Sequence, residues 1–284
     1  MTTAAVTTET TKVQKNKTAS GGILQIVKDL FTPFKEVASN ILWLAIAFQL
    51  TVTVFAWWYN SGRLLPSPLE VLNAFLRIWS GGFAQDLWSS FILNIQALAL
   101  STAISLGLSY LTAIPFFKPV VAMLSKLRFW GLVGISVAFT VTFGGGHYLK
   151  VALLVFGMSV FYITSMSDII RNISKEELDH LRTLRMGEWQ VWWEGVVLDT
   201  IADAIVVMRQ NAAIGWMMLT MVEGLSRTEG GVGVALLVQN KFLNLDAIAA
   251  VNISILLFAL AQDMFIYFGL KAFFPYYFLG KEQK

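Results

Sequence analysis

Six largely apolar stretches, 41–59, 88–112, 129–143, 148–167, 200–222 and 247–268, are separated by segments in which the charged residues collect. A helix crossing a bilayer needs about 20 consecutive apolar residues, so the pattern predicts an all-α, polytopic membrane protein with six transmembrane helices. The first stretch, Ile41–Tyr59, is uncharged and ends in Trp57-Trp58-Tyr59, rings that settle at a membrane interface. The second carries Asn94, Gln96, Ser101, Thr102, Ser105 and Ser109, small or polar side chains that let helices approach closely, and is expected inside the bundle. Between these two, Pro66 and Pro68 open a segment in which Leu69, Leu72, Phe75, Leu76 and Trp79 mark the apolar face of a short helix outside the membrane. Ahead of the first stretch, Ile23, Ile26, Val27, Leu30, Phe31 and Phe34 recur with helical period opposite Lys28, Asp29, Lys35 and Glu36. This predicts a helix lying on the membrane face, broken at Pro33. Residues 1–38 are thus expected to form a tail and 39–284 one membrane domain.

Composition strengthens the membrane reading. The chain is 56% apolar with a mean hydropathy of +0.64, against about 45–50% apolar for soluble domains. The absence of cysteine excludes disulfides, thiolate metal sites and cysteine nucleophiles. A net charge of +3 and a pI near 9.0 would suggest nucleic acid in a soluble protein, but the distribution of the charges points elsewhere. Lys and Arg number five in the N-terminal tail, three in 113–128, four in 168–199 and three in the C-terminal tail. The alternate segments hold two, one and two, counting Lys150 with the turn it adjoins. By the positive-inside rule both termini and the 168–199 loop face the cytoplasm, and no nucleic-acid partner is expected.

The 168–199 loop is the polar exception in a greasy chain. From Glu177 to Leu198 acidic and basic residues intermix, with Glu177, Asp179, His180, Arg182 and Arg185 beside Leu178, Leu181 and Leu184 at three-residue spacing, and Thr183 and Gly187 between them. One short helix can show apolar knobs and charges together. Trp189, Trp192 and Trp193 then mark the return to the interface.

The run Asp179–Arg185 (DHLRTLR) followed by Trp189-Gln190 resembles the cytoplasmic loop of ATP-binding-cassette importer permeases, in the branch that carries nitrate, sulfonate, taurine and bicarbonate. The stretch LPSPLEVL at Leu65–Leu72 resembles the same branch, as do the turn at Phe143-Gly144 and the glycines at Gly230, Gly231 and Gly233. That resemblance implies a type I-like permease fold in a bacterial inner membrane. It implies that Glu177 to Arg185 and Gly187 form the coupling helix that docks on an ATPase. It also implies two ATPase subunits holding ATP and Mg, a second permease copy forming a homodimer, and an extracytoplasmic substrate-binding protein. Two departures stand out: Arg185 occupies the place of the family's usual glycine, and the prolines expected near Asp199 are missing.

The fifth stretch contains Arg209, about 10 residues and so about 15 Å past Asp199. A charge at that depth is costly and should face a cavity or a partner. Arg209, Trp216 and Glu223 follow at seven-residue steps, on roughly one helix face. Two readings stand: this face lines a translocation path in which the arginine attracts an anion, or Arg209 is neutralised by Asp199 or Asp203 and only joins helices. Asp263, near the inner end of the sixth stretch, is expected to pair with a basic group on the cytoplasmic side rather than to relay protons. The chain contains no G-x-x-x-x-G-K-[ST], H-E-x-x-H or G-x-S-x-G motif. ATP-driven work therefore needs a partner, no cofactor is expected in this chain, and it is not expected to be an enzyme. No carboxylate, cysteine or second histidine lies near His147 in the sequence, and it is not expected to bind metal. The rival classes are a stand-alone carrier or channel, which leaves the charged loop unexplained, and an intramembrane enzyme, whose only dyad would be Asp199 and Asp203.

Overall fold

A computed structural model describes residues 32, 39–62, 65–226, 229–275 and 277. The expected membrane-face helix at 23–37 lies outside the described residues except for Thr32. Among the described residues there is no strand. The chain divides into two compact units, Met1–Arg63 and Leu64–Lys284.

The first unit contributes α1, Ser39–Asn60, a 22-residue helix with no buried residue. Thr51 and Thr53 return their hydroxyls to the carbonyls of Ala47 and Gln49 at 2.8 Å, so the only hydroxyls in its central turns are satisfied within the helix.

The second unit opens with α2, Pro68–Ile78, whose start is written in its sequence. Ser67 caps the helix, the Glu70 carboxylate accepts from Ser67 N at 2.8 Å, and Pro68 sits in the first turn, where a missing N–H costs nothing. The expected helix is present, with Val71 and Ala74 buried and Leu69, Leu72, Leu76 and Trp79 exposed. The larger apolar face therefore looks away from the rest of the unit. A widened helical turn at Trp79–Phe83, with Gly82 at φ +94°, bends the chain into α3, Ala84–Tyr110. Only glycine takes that dihedral without strain.

The expected span at 129–143 is not one straight helix. Instead α4, Lys118–Lys126, runs through a tight turn at Leu127–Phe129 and gives way at Trp130-Gly131 to α5, Leu132–Phe143. The two arms meet at 111°. At 12 residues α5 is about 18 Å long, too short alone for a hydrocarbon layer of about 30 Å. Among the described residues five helices are long and apolar enough to cross a membrane, or six if the bent pair counts as one span.

After α5 come α6, His147–Arg171; the short α7, Lys175–Thr183, and α8, Glu188–Trp192; a widened turn at Trp193–Leu198; and α9, Ile201–Leu225. The chain closes with α10, Val232–Lys241, and α11, Leu245–Phe273. The most extensive packing is between α3 and α6, with α9 against α6, α3 and α11. Buried serines make that approach possible: Ser90, Ser101, Ser105 and Ser109 lie on one face of α3. Two apolar clusters fill the bundle. One centres on Leu87, Leu153, Met158, Trp216 and Leu219, the other, nearer α7 and α8, on Tyr110, Tyr162, Met166 and Val207.

Candidate functional site

The polar loop folds into a helix–turn–helix braced by its own charges. Ser174 caps α7 by accepting from Glu177 N at 3.1 Å. Arg182, in the last turn of α7, donates to Asp179 at 2.6 Å and reaches across the turn to both Glu188 oxygens at 2.9 and 3.0 Å. The two-pronged contact ties α8 to α7 and fixes the angle between them. Hydrogen bonding from Arg182 holds the Glu188 carboxyl below its ordinary range. Expected as a free docking charge, Arg182 is instead committed within its own loop. Arg185 has no side-chain partner among the described residues.

Arg185 is also where the turn is made, with φ +62°. Its N–H bonds to Arg182 O at 3.0 Å, closing the C-terminus of α7 in the left-handed conformation that helix ends favour and that glycine adopts most cheaply. The place where the resembled family keeps glycine is thus the place where this backbone needs glycine's dihedral.

The leucines divide. Leu178 and Leu181 turn inward onto the 193–198 turn, where a Cβ added to Gly195 would lie 2.7 Å from Leu181 Cδ1 and 3.0 Å from Leu178 Cδ2. Leu181 is half-buried by this packing within its own chain. Leu184 remains exposed, as do Trp189 and Trp193, and His180 and Thr183 also lie on the open side of α7. Between the loop and the turn at Ala113–Pro115 runs a groove of about 300 Å³, lined by Leu178, Arg182, Glu188, Trp189 and Trp192. Gly187, in extended backbone, starts α8, its N–H donating to Gln190 Oε1 at 3.0 Å.

The three residues expected on one face of α9 have different environments. Arg209 makes a two-pronged ion pair with Asp263 of α11, at 2.5 and 2.7 Å, and its guanidinium lies 5.1 Å over the Tyr267 ring. This corrects the expected partners: Asp203 instead accepts from the Tyr277 hydroxyl at 2.9 Å. Asp263 does take up a basic group, but it is the arginine within the α9 span and not one from the segments expected to be cytoplasmic. The pair is 34% and 39% exposed, on the flank of the bundle. Trp216 is buried, its indole N–H donating to Gln262 Oε1 at 2.7 Å.

Glu223 is 1% exposed and sits under the loop that leads into α10. Its carboxylate accepts from Ser90 Oγ at 2.6 Å and from Gly233 N at 2.8 Å, placing a negative charge on the N-terminus of α10. Ser90 Oγ in turn accepts from Val232 N at 3.0 Å, and Asp86 from Gly231 N at 3.3 Å. Lys150, 3% exposed, donates to Gly230 O at 3.2 Å. Glu229 accepts from His147 N at 3.0 Å, pinning the same loop to the start of α6. Gly231 has φ +111°, and a Cβ there would lie 2.4 Å from Glu223 Oε1, so backbone and carboxylate fit only because the side chain is absent. The sequence reading missed Ser90, Asp86 and Lys150. Buried Lys150 was the available signal, because a lysine inside an apolar stretch needs a carbonyl or carboxylate near it.

Burial raises the Asp199 carboxyl, with Glu177 and Asp203 adding repulsion. His147 Nε2 lies 3.1 Å from Gln96 Oε1, and no group of His, Asp or Glu among the described residues is arranged to hold a metal ion. No protein-family model matches the sequence, and no curated protein matches it.

Proposed function

We propose that the chain is the membrane permease subunit of an ATP-driven importer of the ATP-binding-cassette type, moving a small anion of the nitrate, sulfonate, taurine or bicarbonate class. The observation that carries this reading is the braced α7–α8 loop. It joins two span-length helices, holds a fixed shape through Arg182, Asp179 and Glu188, and leaves Leu184, Arg185 and Trp189 open. A loop that only linked two spans would have no need of a two-pronged clamp and an outward apolar knob. A rigid polar hairpin is what a moving partner needs to push on.

In this reading two ATPase subunits hold ATP and Mg, and closure of the pair drives the loop, which shifts α6 and α9 because it is continuous with both. A second copy of the chain supplies the other half of the path and covers the Arg209–Asp263 pair, which is too polar to face lipid. An extracytoplasmic binding protein delivers the anion to the Glu223 end. Because its charge is matched by Asp263, Arg209 offers the anion hydrogen-bonding edges more than net attraction.

The test is co-purification of the full chain with an ATPase subunit encoded beside it, in lipid nanodiscs, followed by ATPase assays with nitrate, bicarbonate, taurine and alkyl sulfonates. Leu184→Asp should abolish capture of the ATPase at normal expression, since it places an uncompensated charge in the contact. Anion uptake by vesicles containing this chain alone would overturn the reading in favour of a carrier or channel.

A further inference from the structure

The hydrogen bonding of the bundle formed by α3, α6, α9 and α11 is closed at both ends and open in the middle. At one end Ser90, Glu223 and Asp86 engage the loop into α10. At the other, the Tyr110 hydroxyl donates to Val197 O, Tyr162 to Ala204 O, and Thr112 pairs with Ser167. Between them, six buried side-chain atoms have no partner among the described residues: Asn94 Oδ1, Thr102 Oγ1, Ser159 Oγ, both amide atoms of Asn211, and Gln262 Nε2. All four helices contribute. From Asn94 to Thr102 the band is about 12 Å deep along α3.

Exchanging oxygen and nitrogen in the amides does not repair it. Gln262 Oε1 already accepts from Trp216 Nε1 at 2.7 Å and from Asn94 Nδ2 at 3.2 Å. Turning Gln262 would set two N–H donors against each other, and turning Asn94 would set two oxygens together. Asn211 has no partner in either orientation. Three of these residues share one place. Asn94 Oδ1 rests on Gly215, where a Cβ would come within 2.5 Å of it, and Asn211 lies one turn earlier on the same face of α9. Met158 flanks Gly215 from α6, with Cε 2.9 Å from that Cβ position, and a thioether chain can shift to open space where a branched residue could not.

A buried amide without a partner forfeits its hydrogen bonds to solvent, so α3, α9 and α11 presenting such atoms in one place point to a guest. The open atoms are both donors and acceptors, and the nearest charge on α9, Arg209, is taken up by Asp263. A guest that must donate and accept beside uncharged amides is neutral and small. We propose that this band is a water site: ordered water held by Asn94, Asn211 and Gln262 and continuing toward Thr102 and Ser159, inside a single chain. A hydrated middle between clamped ends lets the helices exchange direct contacts for water-mediated ones. This inference does not rest on the transport reading.

The test uses the full chain in lipid nanodiscs. Millisecond X-ray radiolysis generates hydroxyl radicals from bound water, so Met158 and Trp216 should be oxidised several-fold faster than Met166, which is as buried as Met158 but lies in the other apolar cluster. Equal rates at Met158 and Met166 would overturn the proposal without any substitution. Asn211→Leu should lower both the Met158 oxidation rate and the unfolding temperature, because displacing water strands Asn94 and Gln262. If the amides are dry and merely unpaired, the same change raises the unfolding temperature and leaves labelling unaltered, which refutes the site. Protection of Met158 by added nitrate would make the occupant a transported anion, and that outcome also refutes it.

Discussion

Removing the Arg209 guanidinium leaves Asp263 charged and partly uncovered on the flank of the bundle. Arg209→Gln deletes two charge-assisted hydrogen bonds and the ring contact with Tyr267. Breaking a fully buried pair from one side costs about 3–5 kcal/mol, most of it the stranded charge, whereas a solvent-exposed pair is worth about 0–1 kcal/mol. With roughly a third of each side chain uncovered, an intermediate cost of about 2–3 kcal/mol follows. For a unit of this size that lowers the unfolding temperature by roughly 5–10 °C. Arg209→Gln/Asp263→Asn removes the stranded charge and allows an amide–amide contact, so it should recover at least half the loss. Arg209→Gln/Asp203→Asn should recover nothing, because Asp203 is engaged with Tyr277. The assay is thermal unfolding of the single and double variants in one lipid environment, read as a double-mutant cycle. A coupling energy between Arg209 and Asp263 below about 0.5 kcal/mol, or rescue by Asp203→Asn, would refute the assignment of the pair.

Four other outcomes follow. Arg185→Gly relieves a left-handed dihedral that costs a side-chain-bearing residue about 1–2 kcal/mol and returns about half of that as chain entropy, so it should raise loop stability by up to about 1 kcal/mol in amide exchange of α7. Gly195→Val should lift α7 off the 193–198 turn by displacing Leu178 and Leu181, seen as faster proteolysis at 184–187. Glu188 has its carboxyl held below the ordinary value of 4.5 by Arg182, so its contribution is present above that pH and is lost as pH falls through the lower folded value. Amide protection of α7 and α8 should therefore fall only in that acidic window, and Glu188→Gln should make protection low and flat with pH. Glu223→Ala strands Gly233 N–H and the Ser90 hydroxyl and should cost about 2–4 kcal/mol, while Glu223→Gln, which can still accept from Gly233, should cost about 1 kcal/mol; equal losses in unfolding experiments would refute the capping role.

Apolar length was legible at once, since each long helix contains one of the expected stretches outright or matches it to within two residues at its inner bounds. The exception is instructive. In 129–143 the hydropathy is continuous, but Trp130-Gly131 takes extended backbone, with ψ of 118° and 130°, and the helix restarts at Leu132. A sliding hydropathy reading is blind to a single dihedral, and glycine among apolar residues gives only a weak local signal of a 111° bend. What the apolar face of α2 would meet was not legible either. Its period was correct, but in a chain whose surroundings are themselves apolar the larger residues can face outward and the smaller ones, Val71 and Ala74, pack against helices.

At the candidate site, position along the chain was legible and pairing was not. The seven-residue spacing of Arg209, Trp216 and Glu223 places them on one side of α9, yet their partners differ: Arg209 and Trp216 meet Asp263 and Gln262 on α11, and Glu223 meets Ser90 on α3. Sequence proximity favoured Asp199 and Asp203 for Arg209. A contact 54 residues away wins because α9 and α11 run side by side and present their ionised residues at the same depth. The opposite holds at Arg185. There the departure from an expected glycine marks the single position of the loop that takes a positive φ. A local dihedral requirement is carried by one residue and can be read in a sequence, whereas an ion pair across two helices depends on their register, which no stretch of either helix encodes by itself.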